Sequence, residues 1–221
     1  MCGRFNLYSN IDILLDQFEL INGDMFEILP RFNIAPSQDV LAVIEGEDGR
    51  RGGYLRWGLI PSWANDPKIG YKMINARAET IHEKPSFKRL LARRRCLVIA
   101  DGFYEWKKDG NKKQPFHIFL KDKQPFAFAG LWDRWIQAGE IIQTCTIITT
   151  EANELMADIH DRMPVILTKE SERQWLDRKI QDEDQLKSLL IPYDSTAMDI
   201  YPISEFVNSP RNEGIEILNS L

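Results

Sequence analysis

The 221-residue chain is poor in cysteine and histidine, and what it lacks narrows its possible functions. Cys2, Cys96 and Cys145 are widely spaced and form no CxxC pair, which excludes a disulfide framework and a cysteine zinc site. His82, His117 and His160 join no Cys or carboxylate at ligand spacing, so no metal and no other cofactor is expected. No run approaches the ~18 apolar residues that span a bilayer, and no apolar segment of signal-peptide length follows Met1. Gly3 stands one position too late for myristoylation. A cytoplasmic protein without membrane contact is therefore expected. There is no repeat, low-complexity tract or linker-like stretch, which favours a single domain over 1–221 and a monomer.

There is also no overall basic excess: 28 Lys and Arg face 33 Asp and Glu, for a net charge of −5. The charge is unevenly distributed. Ten of the basic residues fall between Lys84 and Lys113 with only Asp101, Glu105 and Asp109 against them, so this window is +7 within an acidic remainder. Phosphate binding responds to such a local patch, although a solvated helix and a lysine-rich hairpin tip would read the same way.

Hydrophobic periodicity predicts a helix from Ile11 to Leu20, capped by Ser9 or Asn10, and a rigid loop over Arg31–Pro36. Strands are predicted at Asp39–Ile44, Gly53–Gly58, Cys96–Ala100, Phe116–Leu120, Phe126–Trp132, Ile141–Thr149, Met163–Leu167 and Met198–Ile203. Further helices are predicted at Phe87–Arg94, Lys169–Lys179 and Asp182–Leu190, with hairpin tips at Lys108–Asn111 and Ala138–Glu140. Strands joined by hairpins with helices outside them imply an α+β fold, a single compact domain around a largely antiparallel sheet.

Cys2 carries the most chemical information. The initiator Met is trimmed when a small side chain follows, leaving an N-terminal Cys with an amine of pKa roughly 7.7–8.0 and a thiol near ~8.5 on adjacent carbons. Such a 1,2-aminothiol condenses with an aldehyde to an imine, which the thiol then closes to a thiazolidine. A chance Cys near the start codon is the competing explanation. Asn75, Arg77 and Glu79 alternate, so an extended chain would put them on one face. Glu105 lies between aromatic residues, a setting that raises a carboxylate pKa and suits it to proton transfer. His160 sits beside Asp161 and Arg162 ahead of Pro164. Glu105 as an ion-pair partner of Arg77, and His160 as a loop hydrogen-bonder, are the structural alternatives. His82 is expected to be exposed, and His117, Cys96, Cys145 and Trp57 to be structural. Trp63, after Pro61 and Ser62, is the aromatic expected to be exposed.

Met1–Phe5, Asn33–Pro36, Trp57–Trp63, Asn75–Thr80, Asp101–Trp106, Ile148–Asn153 and Ile159–Pro164 together, in this order, resemble the SOS-response-associated peptidase (SRAP) family, whose members process abasic sites. The resemblance runs from position 2 to about 212, and departs from the family where Ile215 replaces a common proline. It implies a barrel-like sheet and covalent attachment to abasic sites in single-stranded DNA. By matching position, Cys2 would be the nucleophile, Asn75 would hold the sugar, and Glu105 and His160 would exchange protons. Arg4 and Arg77 would contact phosphates, with Pro36 and Trp63 wedging and stacking bases. Removal of Met1 and weak lyase activity would accompany this. Two rival readings are an N-terminal-nucleophile amidohydrolase, since glutaminase domains also begin Met-Cys-Gly, and a nucleic-acid-binding module without chemistry. Asn22-Gly23-Asp24 is the only fragment that suggests a glutamine pocket.

Overall fold

The computed structural model describes residues 2–25, 27–110 and 112–221, Asp109 by its backbone alone. Met1 and the Asn111 of one expected hairpin tip lie outside the described residues. In chain order the elements are β1 (Phe5–Leu7), α1 (Ile11–Phe18), β2 (Arg31–Ile34), β3 (Asp39–Glu45), β4 (Arg50–Trp57), β5 (Asn75–Arg77), α2 (Pro85–Leu91) and β6 (Arg95–Ala100). There follow β7 (Gly102–Asp109), β8 (Lys112–Leu120), β9 (Phe126–Gln137), β10 (Glu140–Glu151), α3 (Glu154–Ala157), β11 (Arg162–Pro164) and β12 (Ile166–Leu167). The chain closes with α4 (Lys169–Leu176), α5 (Glu183–Ser188) and β13 (Met198–Pro202).

Strands β10, β4, β3, β6 and β9 are neighbours in that order, and the β9–β10 hairpin closes them into a five-stranded barrel. Its two-residue tip, Ala138 and Gly139, has positive φ at both positions, the conformation whose twist matches a tight hairpin. The second sheet, β13-β8-β7-β1-β2, is antiparallel throughout. The α+β class and largely antiparallel sheet expected from the sequence are present, with two exceptions: β10 runs parallel to both β4 and β5.

The short strand β1 lies between β7 and β2, inside the second sheet. Phe5 holds it there. Its ring is fully buried with its centroid 5.2 Å from Trp57 and 5.7 Å from Phe128. Burying such a side chain contributes roughly 1.5–3 kcal/mol, enough to fix the N-terminal segment against the barrel. Cys96, Cys145, His117 and Trp57 are buried as expected, and Trp63 is exposed.

Several boundaries differ from the pattern-based expectation. Helix α1 stops at Phe18, because Glu19 turns left-handed (φ 56°) and its N–H closes onto Leu15 and Asp16. Arg31–Ile34 is a strand and not a loop: it pairs with β1, and Glu213 accepts the N–H groups of Phe32 and Asn33 on its open side. Helix α2 begins two residues early, with Pro85 in its first turn, and ends at Leu91. The expected strand Met163–Leu167 divides at Val165, whose N–H bonds to Ile148 of β10 while its C=O accepts from Ala129 of β9. Helices α4 and α5 are both shorter than the periodic pattern suggested. Ile215 opens a 3-10 helix over Ile215–Leu218, a first position that proline also suits, so the departure from the family pattern is compatible with the local geometry.

Candidate active site

Cys2 precedes β1, so the strand that Phe5 anchors also fixes its position. Register carries Glu105 to it. Phe5 pairs with Phe103, and the Tyr104 N–H donates to the Arg4 carbonyl at 2.9 Å, so the next step along β7 sets Glu105 beside Gly3. Strand β5 is held parallel to β10, with Asn75 opposite Ile147, and Asn75 Nδ2 reaches across to donate to the Cys2 carbonyl at 2.8 Å. Three elements remote in sequence thereby meet at one residue.

The Cys2 side chain is fully buried, and among the described residues its sulfur's one hydrogen bond is a weak 4.0 Å contact to the Arg4 carbonyl. Burial, and after it the negative charge of Glu105, push the thiol up to about 12. The thiol form of the sulfur is thereby favoured, and the Glu105 charge is felt at the sulfur. Glu105 itself is 5% exposed. The other end of the Asn75 amide, Oδ1, is buried with no partner among the described residues. An orphaned acceptor costs roughly 1–3 kcal/mol, and a donor arriving next to Cys2 would satisfy it.

His160 lies in the loop just ahead of β11, which pairs with β10 over Arg162–Pro164. Its ring is 29% exposed. Nδ1 lies 2.7 Å from Asp161 Oδ1 and 3.0 Å from the Arg162 N–H. A protonated ring donates to the carboxylate, and a neutral ring with its proton on Nε2 accepts from the backbone, so both states have a partner.

Asn75, Arg77 and Glu79 do not share the extended face expected from their alternation. The strand ends at Arg77 and a 3-10 turn follows over Ala78–Thr80, which leaves Arg77 exposed. Glu79 instead receives Arg162 through two hydrogen bonds of 2.7 and 3.0 Å, and this pair holds its carboxyl below the usual range. Arg162 also donates to the Thr149 carbonyl at 2.7 Å, tying β10 to the His160 loop. Pro36 follows β2, and its position is set by Ser37, which has φ 69° and donates to the Trp57 carbonyl at 2.7 Å.

Two residues matter to the site without having been singled out from the sequence: Arg162 and Asn33. Asn33 is fully buried, accepts from Arg4 Nη1 at 2.7 Å and donates to the carbonyls of Val207, Ser209 and Asn212. Arg4 Nη1 also donates to the Val207 carbonyl at 2.7 Å, and its guanidinium sits 5.9 Å from the Trp106 ring centroid. Burial pulls Arg4 below the usual guanidinium range. Signals were present (an Asn in a loop-like motif, a cation after the His), but the carbonyls that Asn33 binds are more than 170 residues away and the carboxylate that Arg162 binds is 83 away.

Asn22, the fragment that suggested a glutamine pocket, hydrogen-bonds the backbone of Gly52 in both directions and is structural. Among the described residues no three His, Cys, Asp or Glu side chains come together to hold a metal ion, and no helix is long and apolar enough to cross a membrane.

Comparison with known proteins adds a consistent set of relatives. The chain is 54% identical to the abasic site processing protein YoaM of Bacillus subtilis, across 100% of this chain and 98% of that one. It is 32% identical to the abasic site processing protein YedK of Escherichia coli, with 99% of each covered. A crystal structure of a protein from Bacteroides thetaiotaomicron superposes with a TM-score of 0.87 at 31% identity, covering both chains fully. The family described as SOS response associated peptidase (SRAP) matches residues 1–210. The chain belongs to the SRAP family.

Proposed function

We propose that this protein processes abasic sites in single-stranded DNA by forming a thiazolidine crosslink through Cys2, shielding the lesion during the response to DNA damage. Relatives named as abasic site processing proteins support the substrate class. The observation that carries the chemistry is the Asn75 amide, which grips the Cys2 carbonyl at 2.8 Å and leaves a buried acceptor unfilled beside it.

Removal of Met1, the one peptidase step proposed, frees the α-amine. An abasic deoxyribose is mostly a closed hemiacetal, and Glu105 and His160 move the protons that open it to the aldehyde. The amine adds to C1′ and water leaves, giving an imine. Sγ then attacks C1′, the imine nitrogen takes a proton, and a five-membered ring closes. Aldehyde and aminothiol thus become thiazolidine and one water, with no oxidant or cofactor. A thiol that burial holds in its protonated form needs a base for this step. Glu105 serves, and once protonated it no longer opposes the thiolate. The open imine acidifies C2′, so weak lyase activity competes with ring closure. Arg4 and the exposed Arg77 contact phosphates, while Pro36 and Trp63 pack against bases.

The test is a denaturing gel with an abasic oligonucleotide. Wild type should give a heat-stable adduct and Cys2→Ala none, whereas Cys2→Ser should be trapped only with borohydride, as a reduced imine. A heat-stable adduct from Cys2→Ala at the wild-type level would overturn the assignment.

A further inference from the structure

Of the alternating set Asn75, Arg77 and Glu79, the last has no part in the chemistry above. The fold takes Glu79 off the strand face and gives it to Arg162. Strand β10 runs between β5 and β11, with Thr149 opposite Arg77 on one side and Pro164 on the other. The Arg162 side chain starts from β11, crosses β10 at Thr149, where it donates to the carbonyl at 2.7 Å, and ends on Glu79 in the turn after β5. Nη1 and Nη2 reach separate carboxylate oxygens at 2.7 and 3.0 Å, a forked geometry that fixes a plane as well as a distance.

The other end of Arg162 touches the imidazole. Its backbone N–H donates to His160 Nδ1 at 3.0 Å. The loop backbone is tied from the α3 side, where the His160 N–H donates to the Met156 carbonyl at 2.9 Å and the Ala152 N–H to the Asp161 carbonyl at 3.1 Å. Those bonds hold the loop, whereas the Arg162 N–H addresses the ring itself. An N–H only donates, so it selects the neutral tautomer with the proton on Nε2, while Asp161 Oδ1 at 2.7 Å favours a proton on Nδ1. Which of the two prevails depends on where Arg162 is held. The Glu79 side chain is about half exposed, and such a pair contributes little to folding. Its contribution is geometric. It references the ring's partner to the turn that continues the Asn75 strand, and Asn75 grips the Cys2 carbonyl at 2.8 Å.

We infer that Glu79 is a positioning residue for opening of the sugar ring, acting on His160 through Arg162. The inference rests on the Cys2 reaction proposed above. Opening breaks the C1′–O4′ bond: the C1′ hydroxyl gives up a proton, O4′ takes one, and a C1′ aldehyde and a C4′ hydroxyl result with no net change in protons. An imidazole whose Nε2 is misdirected loses its share of this transfer, while imine formation and ring closure at Cys2 go on as before.

The experiment measures single-turnover crosslinking at saturating DNA for wild type, Glu79→Gln, His160→Ala and the double variant. Gln offers Arg162 one acceptor in place of two. Two strands are compared, one with a natural abasic deoxyribose and one with an acyclic aldehyde that lacks the C4′ hydroxyl and needs no opening. On the natural site Glu79→Gln should be slower by about tenfold, less than the roughly 10²-fold that loss of a proton-transfer group costs. In the His160→Ala background the same substitution should cost less than about twofold. On the acyclic aldehyde Glu79→Gln should match wild type, as should its urea midpoint. An equal loss in both backgrounds or on both strands would overturn the inference, and so would a wild-type rate on the natural site or a midpoint far below wild type. A second measurement needs no DNA: nitrogen NMR of the neutral His160 ring should show the proton on Nε2 in wild type and a mixture of tautomers in Glu79→Gln, and identical ring spectra would count against positioning. If wild type crosslinks neither strand, the Cys2 reading falls, and the ring spectra alone decide whether Glu79 positions His160.

Discussion

A cysteine that is fully buried and whose thiol is pushed up to about 12 is a poor nucleophile until a proton is moved. Burial is the larger cause of that shift and Glu105 the next, so the two effects separate by mutation. Glu105→Gln removes the repelling charge and keeps the shape. The Cys2 thiol should then titrate at lower pH, read as an earlier rise in iodoacetamide alkylation followed by mass spectrometry. Crosslinking should nonetheless slow by roughly 10²-fold, the usual scale for losing a proton-transfer group, while affinity for undamaged DNA stays unchanged. A residue that gains thiolate and loses rate is acting as a base. If crosslinking falls only in proportion to DNA affinity, Glu105 is structural.

Between elements, the C-terminal segment 207–213 is tied to Arg4, Asn33 and Trp106 although it lies far from Cys2 in sequence. Asn33 on β2 ties it down through the Val207, Ser209 and Asn212 carbonyls, Glu213 completes β2, and the Trp106 indole N–H on β7 donates to Asn208 at 2.7 Å. Asn33→Ala should remove one acceptor and an amide whose two N–H donors serve three carbonyls from a buried position and cost about 2–4 kcal/mol, seen as a lower urea midpoint with an unchanged m-value. Arg4 loses one of the two acceptors that orient it, so phosphate affinity should weaken in the same variant. A midpoint equal to wild type would show that Arg4 and the 207–213 segment hold without Asn33. Local pattern read some elements well and others badly, and the reason is visible here. Asn10 as the cap of α1, and Ala138-Gly139 as a hairpin tip, are decided by neighbours in sequence. The strand character of Arg31–Ile34 depends on Glu213, and the division of Met163–Leu167 on two strands far upstream, so neither is encoded locally. Cys2, Glu105 and His160 are candidates that the sequence singles out by their chemistry, whereas Asn33 and Arg162 act through partners that only the fold supplies.

The whole molecule is held by a buried polar chain that links its beginning to its end. Asn6 of β1 donates through Nδ2 to the Tyr104 hydroxyl at 2.8 Å and to His117 Nε2 at 3.0 Å. An amide nitrogen can only donate, so Nε2 accepts and the proton sits on Nδ1, 2.9 Å from the Tyr201 hydroxyl, which donates to the Leu218 carbonyl at 2.8 Å. Gly102 lies against the imidazole, and a Cβ there would overlap Nε2. Burial pulls His117 from 6.5 down to about 3. Below pH 6.5 the unfolded chain takes up a proton that the folded chain refuses, so the stability this group supports is complete above 6.5 and drains away as pH falls toward 3. The slope is at most about 1.4 kcal/mol per pH unit, or roughly 2 kcal/mol between pH 6.5 and 5. Asp101 and Glu172, raised chiefly by burial, contribute with the opposite sign at lower pH, and Glu79, lowered chiefly by its Arg162 hydrogen bonds, loses its contribution lower still. Comparing wild type with His117→Gln cancels these carboxylates, because both proteins carry them. Urea unfolding across this range should therefore show wild type losing stability with acid faster than His117→Gln, whatever the variant's starting value. Parallel curves would mean that the imidazole accepts its proton without unfolding the network, and that the chain from Asn6 to Leu218 tolerates a charge at its centre.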